Sequence, residues 1–379
     1  MKIIPELQDT LTFYTFWIFA GICLLQLMYV ILFFGRLAYR KERKTSNTGN
    51  LPPISIVIAA RNESDNLYEN LPKILGQNYP DFEVIVVNHQ SIDDSKHLLG
   101  ALQRDYKNLV VMEVERSKHL LASKKLPLTL GIKKARHEHL VLTDADCSPA
   151  TNDWLLHMAG QFSEKKQIVL GYGPYKETPG LLNKIIRFDT TMIAVHYFSM
   201  AINRVPYMGV GRNMAYTKAV FNSTHGFKSH YAIASGDDDL FIQEAAKKNN
   251  YTIELSPDSF MYSDAKSTWE TWILQKARHY TTASRYKVFK KALLGIYPFT
   301  LLILLVSFVI LMLEPDWRIH AGAGLGLIMI MKWWLLGKCF SRLQSAGFIA
   351  LLPFLDLLYV VISPFFYYST LQKRTSTWK

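Results

Sequence analysis

The chain has 379 residues, 49% of them apolar, with 43 lysines and arginines against 31 aspartates and glutamates. Its length allows about two domains. Cys23, Cys147 and Cys339 lie too far apart for a disulfide framework or a zinc site, and a net charge of +12 without any nucleic-acid-binding motif leaves nucleic acid out of the expected partners.

The apolar residues crowd both ends of the chain and the middle is mixed, the pattern of a membrane protein with a soluble middle. Leu11 to Gly35 carries no charge and exceeds the roughly 20 residues that a helix needs to cross the hydrocarbon core. Only Lys2 precedes it and no small-residue cleavage site follows, so it reads as an anchor and not as a removed leader. The next segment, RLAYRKERK, is strongly basic, which by the positive-inside rule puts the middle of the chain in the cytoplasm and the N-terminus outside. Asn47 to Pro53 is a short polar linker.

From Ile54 the pattern alternates. ISIVIAA is a β-branched strand, Ser64 to Gln77 has helical period, FEVIVV is a second buried strand, and Leu109 to Val114 a third. A lysine-rich helix, Ser123 to Ala135, leads to a fourth strand, His139 to Thr143. Such alternation predicts a parallel sheet with crossover helices and a nucleotide-binding α/β core, whose ligands sit at the carboxyl ends of the strands. The polar groups expected there are Arg61, Asn62 and Glu63, then Asn88 to Asp94, then Asp144 and Asp146. Two acids flanking one small residue can offer oxygens to a hard divalent cation, Mg²⁺ or Mn²⁺; the same pattern can also simply end a strand and cap the next helix.

Beyond Thr151 the alternation weakens. Asn152 to Phe162 reads as a helix, Ile168 to Tyr172 as a strand, and Leu181 to Asn203 as a long helix of core or membrane-facing character. In VPYMGVGRNMAYTKAVF the close glycines either bring the backbone at Gly211, Arg212 and Asn213 near an acceptor or form a turn before a strand. YAIASGDDDLFIQEAAKK sets three acids at a helix start, more than capping requires. Ser267 to Tyr286 is amphipathic, with Trp269, Trp272 and Ile273 on one side and Gln275, Lys276 and Arg278 on others, as in an interfacial helix. Ala292 to Leu313 is a second span; Gly322 to Leu336, interrupted by Lys332, and Gly347 to Tyr368, holding Asp356, are further candidates, one of which can be re-entrant. An intramembrane Asp356 requires a protein or water partner.

Several of these motifs together resemble family 2 glycosyltransferases of the GT-A fold, similar to ceramide glucosyltransferase-like and processive synthase-like members. SIVIAARNESDNL resembles the opening strand with its Asn-Glu pair, Ala59 standing where proline is usual. QNYPDFEVIVVNHQSIDDS resembles the stretch with paired acids, one of which contacts a uracil ring in that family; here Asn88 and His89 hold those positions, a departure. SKKLPLTLGIKKA puts Lys124 at the lysine position. TDAD matches the DxD motif, so by resemblance Asp146 coordinates the metal and Asp144 contacts ribose or metal. GDDDL resembles the Glu-Asp-x-x-Leu motif, which makes Asp237 the general base, with Asp238 as second choice. QKARHY resembles QxxRW, matched at Gln275 and Arg278, with His279 replacing tryptophan.

The resemblance implies an α/β GT-A nucleotide-diphospho-sugar transferase fold with one N-terminal and two to three C-terminal transmembrane helices. The expected division is an anchor at 1–35, a basic linker at 36–53, a cytoplasmic catalytic domain at 54–266, an interfacial helix at 267–290 and a membrane region at 291–379. The implied activity is inverting sugar transfer from a nucleotide-diphosphate sugar, with a divalent metal, to a hydroxyl of a lipid or glycan acceptor at the inner or plasma membrane. Lys124 or Arg278 would add charge near the phosphates. Two alternatives stay open: a processive polysaccharide synthase, and an inactive membrane scaffold of the same fold.

Overall fold

The structure is a computed structural model and describes residues 5–41, 51–115, 123–233, 235–247 and 249–371. Most of the polar linker, His119 and the basic tail QKRTSTWK lie outside the described residues. The chain divides into two compact units, residues 1–40 with 287–368, and residues 41–286 with 369–379.

The first unit begins with α1 (Pro5–Tyr29), a π-helical stretch Val30–Gly35 and the short α2 (Arg36–Ala38), together an apolar span.

In the second unit β1 (Ile54–Ala60) is buried along its whole length and is followed by α3 (Ser64–Leu75), β2 (Phe82–His89), α4 (Ser95–Asp105) and β3 (Leu109–Val114). Then come α5 (Lys125–Lys134), β4 (His139–Asp144), β5 (Cys147–Pro149), α6 (Trp154–Ala159), β6 (Ile168–Leu170) and α7 (Leu181–Ile202). The unit ends with β7 (Met214–Thr217), α8 (Lys218–Ser223), α9 (Asp239–Ala245), β8 (Tyr251–Ile253), β9 (Met261–Ser263) and α10 (Trp269–Ala283). The main sheet runs β3-β2-β1-β4-β7-β6-β8, and β5 pairs with β9 in a separate ribbon. β1 to β4 are mutually parallel, whereas β7 is antiparallel to both β4 and β6.

Both faces of the sheet are covered, as parallel strands require. Ile54, Ile56, Ile58 and Ala60 of β1 face a core with Leu67, Leu71 and Ile74 of α3 and Trp154 and Met158 of α6. The intervening Val57 faces α5, which comes so close that a Cβ on Gly131 would lie 2.6 Å from it. From β1 the strand order proceeds to β2 and β3 on one side and to β4 on the other. That reversal opens a crevice at the carboxyl ends of β1 and β4, the place where open α/β sheets take ligands.

α7 is a core helix: Tyr197 donates to the Gly171 carbonyl at 2.8 Å, and Asp189 accepts from Lys276 of α10 at 2.6 Å. This differs from the simple amphipathic reading of α10, in which Lys276 faced away from the packed side. Asp189 supplies the charge that allows the ammonium to be buried.

The first unit is completed by α11 (Val288–Met312), α12 (Arg318–Arg342) and α13 (Leu352–Leu371). Among the described residues four segments are long and apolar enough to cross a membrane: Thr10–Ala38, Val288–Met312, Arg318–Arg342 and Ala346–Tyr368. The third is longer than its apolar run because Lys332 has a partner inside the unit: its ammonium pairs with Asp356 of α13. The Tyr297 hydroxyl also donates to Asp356 at 2.6 Å, the Lys332 ammonium lies 4.9 Å from the Tyr297 ring centre, and Gln26 of α1 donates to the Tyr297 carbonyl at 2.8 Å. The two charges that interrupt the hydropathy pattern therefore neutralise each other.

Candidate active site

Asp144 is the last residue of β4 and lies level with Ala59 of β1. Lys124 stands at the position just before α5, and its Nζ reaches Asp144 Oδ1 at 2.5 Å and Asp237 Oδ2 at 3.3 Å. A single ammonium thus joins the end of β4 to the segment before α9. Burial alone would lower the Lys124 pKa, but Asp144, Asp237 and Asp238 together raise it, so the amine is charged. Burial would raise the Asp237 carboxyl, but Lys124, a backbone amide and Lys125 hold it below the usual carboxylate value. Asp237 is therefore an ionised acid beside a fixed cation.

The three acids of GDDDL separate into three tasks. Asp237 faces Lys124. Asp238 caps α9 by accepting from the Asp239 amide at 2.8 Å, and it also accepts from the Gly211 amide at 3.0 Å, which ties the glycine turn to α9. Burial, with Asp237 and Asp239 beside it, raises its carboxyl to about 7. Asp239 is buried and accepts from the hydroxyls of Thr282 and, at 2.7 Å, Tyr286, which anchors the end of α10 and the residues after it to α9. Gly236 precedes them at φ +101°, and a Cβ there would lie 2.7 Å from the Leu240 side chain. The position therefore holds no glutamate.

Asp144, Asp146 and Cys147 bring one ligand atom each within 4.8 Å of one another. The Cys147 thiol is pushed well above its usual value, first by burial and then by Asp146 and Asp144, so it stays protonated. That leaves a pair of hard carboxylates, a donor set that fits Mg²⁺ or Mn²⁺ completed by phosphate and water, and Lys124 already holds a positive charge against one of them.

Around this centre the expected residues fall into different places. Asn62, at φ +53°, donates its amide to Ser91 and accepts from Ile92, so it locks the loop after β1 to the loop after β2. Asparagine tolerates that left-handed conformation. Glu63 accepts from Asn66 at 2.5 Å. Burial and nearby Arg61 push the His89 imidazole down to about 4, which keeps it neutral. Asn88 has both ends of its amide engaged: it donates to Glu113 at 2.9 Å and accepts from Ser91 at 2.5 Å. The exposed carboxylate at that corner belongs to Glu113, on the neighbouring strand β3.

Arg212 donates to the Gly173 carbonyl at 2.9 Å and stacks its guanidinium 4.5 Å from the Tyr175 ring centre, while Gln275 donates to the Tyr175 hydroxyl at 3.2 Å. Asn213 is wholly buried: it accepts from Trp154 and donates to the carbonyls of Tyr172 and Ser259, so it holds the turn together. Dense packing and then the charges of Arg278, Lys276 and Arg212 depress the His279 imidazole, with Asp237 near enough to oppose them. His279 itself is exposed to solvent. His279 thus lies within electrostatic reach of Asp237, and Gln275 and Arg278 share its helix. Tyr175, Glu113 and Lys125 escape a reading of the sequence, because nothing local distinguishes them from ordinary strand and helix residues.

The chain matches the glycosyl transferase family 21 model over residues 16–379. It is 30% identical over 130 residues to the beta-monoglucosyldiacylglycerol synthase of Trichormus variabilis, a match covering 34% of this chain and 26% of that protein. It is also 27% identical over 135 residues to the poly-beta-1,6-N-acetyl-D-glucosamine synthase of Staphylococcus epidermidis, covering 35% of this chain and 31% of the other. The chain thus spans only about a quarter to a third of these relatives' length. In structure it resembles a mannosyltransferase from Pyrobaculum calidifontis solved with GDP-mannose and Mn²⁺, with a TM-score of 0.53, 16% identity, and coverage of 92% of this chain and 99% of that one. At that identity the likeness shows the fold alone, which is GT-A. With a match running over nearly its whole length, this chain belongs to glycosyl transferase family 21.

Proposed function

We propose that the protein is a membrane-bound inverting glycosyltransferase that moves a sugar from a nucleotide-diphosphate sugar to the hydroxyl of a lipid acceptor. The observation that carries this reading is the Lys124 ammonium between Asp144 and Asp237, which sets a leaving-group side and a proton-accepting side one cation apart. On the first side Asp146 and Asp144 would hold Mg²⁺ or Mn²⁺, which when bound neutralises charge on the diphosphate. Lys124 and Arg278 add positive charge there. On the second side Asp237 accepts the proton of the acceptor hydroxyl as its oxygen attacks the anomeric carbon. The bond to the diphosphate breaks in the same displacement, so configuration inverts and no covalent sugar-enzyme intermediate is needed.

Several features support the acceptor class. The catalytic unit is flanked in the chain by apolar spans, and α10, with Trp269 exposed, is the last helix before the second of them. One relative is named for making a glucosyldiacylglycerol. His279 in place of the aromatic residue of polymerising enzymes favours single transfer. The basic residues after α2 favour a catalytic unit on the cytoplasmic side of the inner or plasma membrane.

The test is incubation of full-length protein in detergent with Mg²⁺ or Mn²⁺, a panel of uridine and guanosine diphosphate sugars and a native lipid extract, with products identified by mass spectrometry. The expected product is a lipid heavier by one sugar. Long polymer would assign the protein to processive synthesis instead, and absence of transfer with every donor would remove the enzymatic reading.

A further inference from the structure

Lys125 stands next to Lys124 and does something different. Its side chain is wholly buried at the first turn of α5, and its ammonium donates to three backbone carbonyls, His230 at 2.5 Å, Ile233 at 2.8 Å and Ser235 at 2.7 Å. An ammonium has three N–H groups, and here each has an acceptor. The acceptors lie 105 to 110 residues away along the chain. His230 ends a short 3-10 helix and its carbonyl also accepts from the Ile233 amide at 3.1 Å, whereas Tyr231–Ile233 and Ser235–Gly236 form neither helix nor strand, so the Ile233 and Ser235 carbonyls have no ladder to satisfy them. Burying a lysine without a carboxylate partner is unfavourable unless its hydrogen bonds are needed, and this segment supplies the need.

The segment leads straight into the acid cluster. Ser235 is two residues before Asp237, and Gly236 between them makes the turn at φ +101°. Beyond it Asp237 meets Lys124, and its Oδ2 would lie 3.5 Å from a Cβ on Gly211. Consecutive lysines on one helix start therefore grip the same segment twice, Lys124 by its carboxylate and Lys125 by its backbone. Resting on the glycosyl-transfer reading, we propose that Lys125 is the positioning residue for Asp237: its ammonium fixes the backbone at His230, Ile233 and Ser235 and so sets where the carboxylate is presented to the acceptor hydroxyl.

The experiment uses full-length protein. Lys125→Met keeps the volume and removes all three donations, leaving the His230 carbonyl with the Ile233 amide alone and taking the ammonium from those of Ile233 and Ser235. It is expected to lower kcat by roughly 10- to 100-fold, the range for an ångström-scale misplacement of a reacting group, with donor KM within about twofold of wild type. Hydrogen exchange across residues 228–240 is expected to be roughly tenfold faster. In an Asp237→Asn background the same change should add no further loss, because it acts through that acid. Lys125→Arg keeps the charge but offers a planar fork in place of three converging donors; it should show the same pattern at smaller size, and it decides the matter if the methionine variant does not fold. Unchanged exchange and kcat in the arginine variant, or losses that multiply with Asp237→Asn, would overturn the proposal. Exchange is read without any sugar transfer, so failure of the transfer assay on wild type counts against the enzymatic reading and leaves this test standing.

Discussion

The two units handle buried charge in opposite ways. In the catalytic unit the Lys124 side chain is 16% exposed and its partner Asp144 32%, so water reaches both, and the pair joins residues that stand at a crevice. In the membrane unit Lys332 and Asp356 are 2% and 1% exposed, with a tyrosine hydroxyl and ring as their companions. A half-hydrated pair can exchange one partner for a ligand, because water and incoming charge compensate whatever is released. A pair sealed among apolar helices has no such exchange, and separating it leaves a bare charge. The first arrangement suits chemistry and the second suits assembly.

That contrast can be broken most sharply at Asp237. Asp237→Asn is expected to lower kcat by roughly 10²- to 10⁴-fold, the usual contribution of a general base, while thermal unfolding and donor KM change little; steady-state kinetics on the purified variant would check it. Asp146→Ala should reduce transfer by roughly 10²- to 10³-fold. Chelation should abolish wild-type activity, and adding back Mg²⁺ or Mn²⁺ should restore it in the wild type but not in the variant.

On the membrane side the sign reverses, and stability should suffer before activity does. Lys332→Ala strands Asp356 and is expected to destabilise the protein by about 3–5 kcal/mol, read as a fall in the thermal midpoint in detergent. The exchanged double variant, Lys332→Asp with Asp356→Lys, should recover much of that loss; no recovery would mean that the pair acts through its detailed geometry and not through charge balance.

Smaller effects sharpen the catalytic side. Gly236→Ala places a Cβ against Leu240 at a strained φ and should destabilise by about 1–3 kcal/mol, measurable by chemical unfolding. Asp238 gives a pH signature. Its carboxyl rises from 3.8 to about 7 in the folded protein, so between those values the folded state binds more protons than the unfolded one. Its contribution to stability is then full below about pH 4 and is lost as pH climbs through about 7. Asp238→Asn should flatten the stability profile across that interval; an unchanged profile would place the titrating group elsewhere.

How far the sequence could be read depended on distance along the chain. β1, β2, β3 and β4 announced themselves because a β-branched run and its crossover helix lie within about thirty residues of each other. Among the short strands β6 was read, at Ile168 to Tyr172, and β7 only as one of two alternatives, but β5, β8 and β9 were not, since three residues carry no period and their pairing partners are remote. The excess of acids in GDDDL was visible, yet nothing local said which faces the site. That assignment needed Lys124, Gly211 and Thr282, each from a different element. Lys332 and Asp356 each looked like a flaw in its own helix until the fold set them side by side.

By itself the sequence determined the candidate membrane-crossing segments, the parallel half of the sheet and the location of the DxD acids at a strand end, because hydropathy and period are local properties that tertiary contacts seldom overrule. Only the tertiary structure decided which lysine meets carboxylates and which meets carbonyls, which acid of the three faces Lys124, and how a charged pair is accommodated among apolar helices. Those outcomes depend on groups tens to hundreds of residues apart meeting at hydrogen-bonding distance, and only the packed chain brings them together.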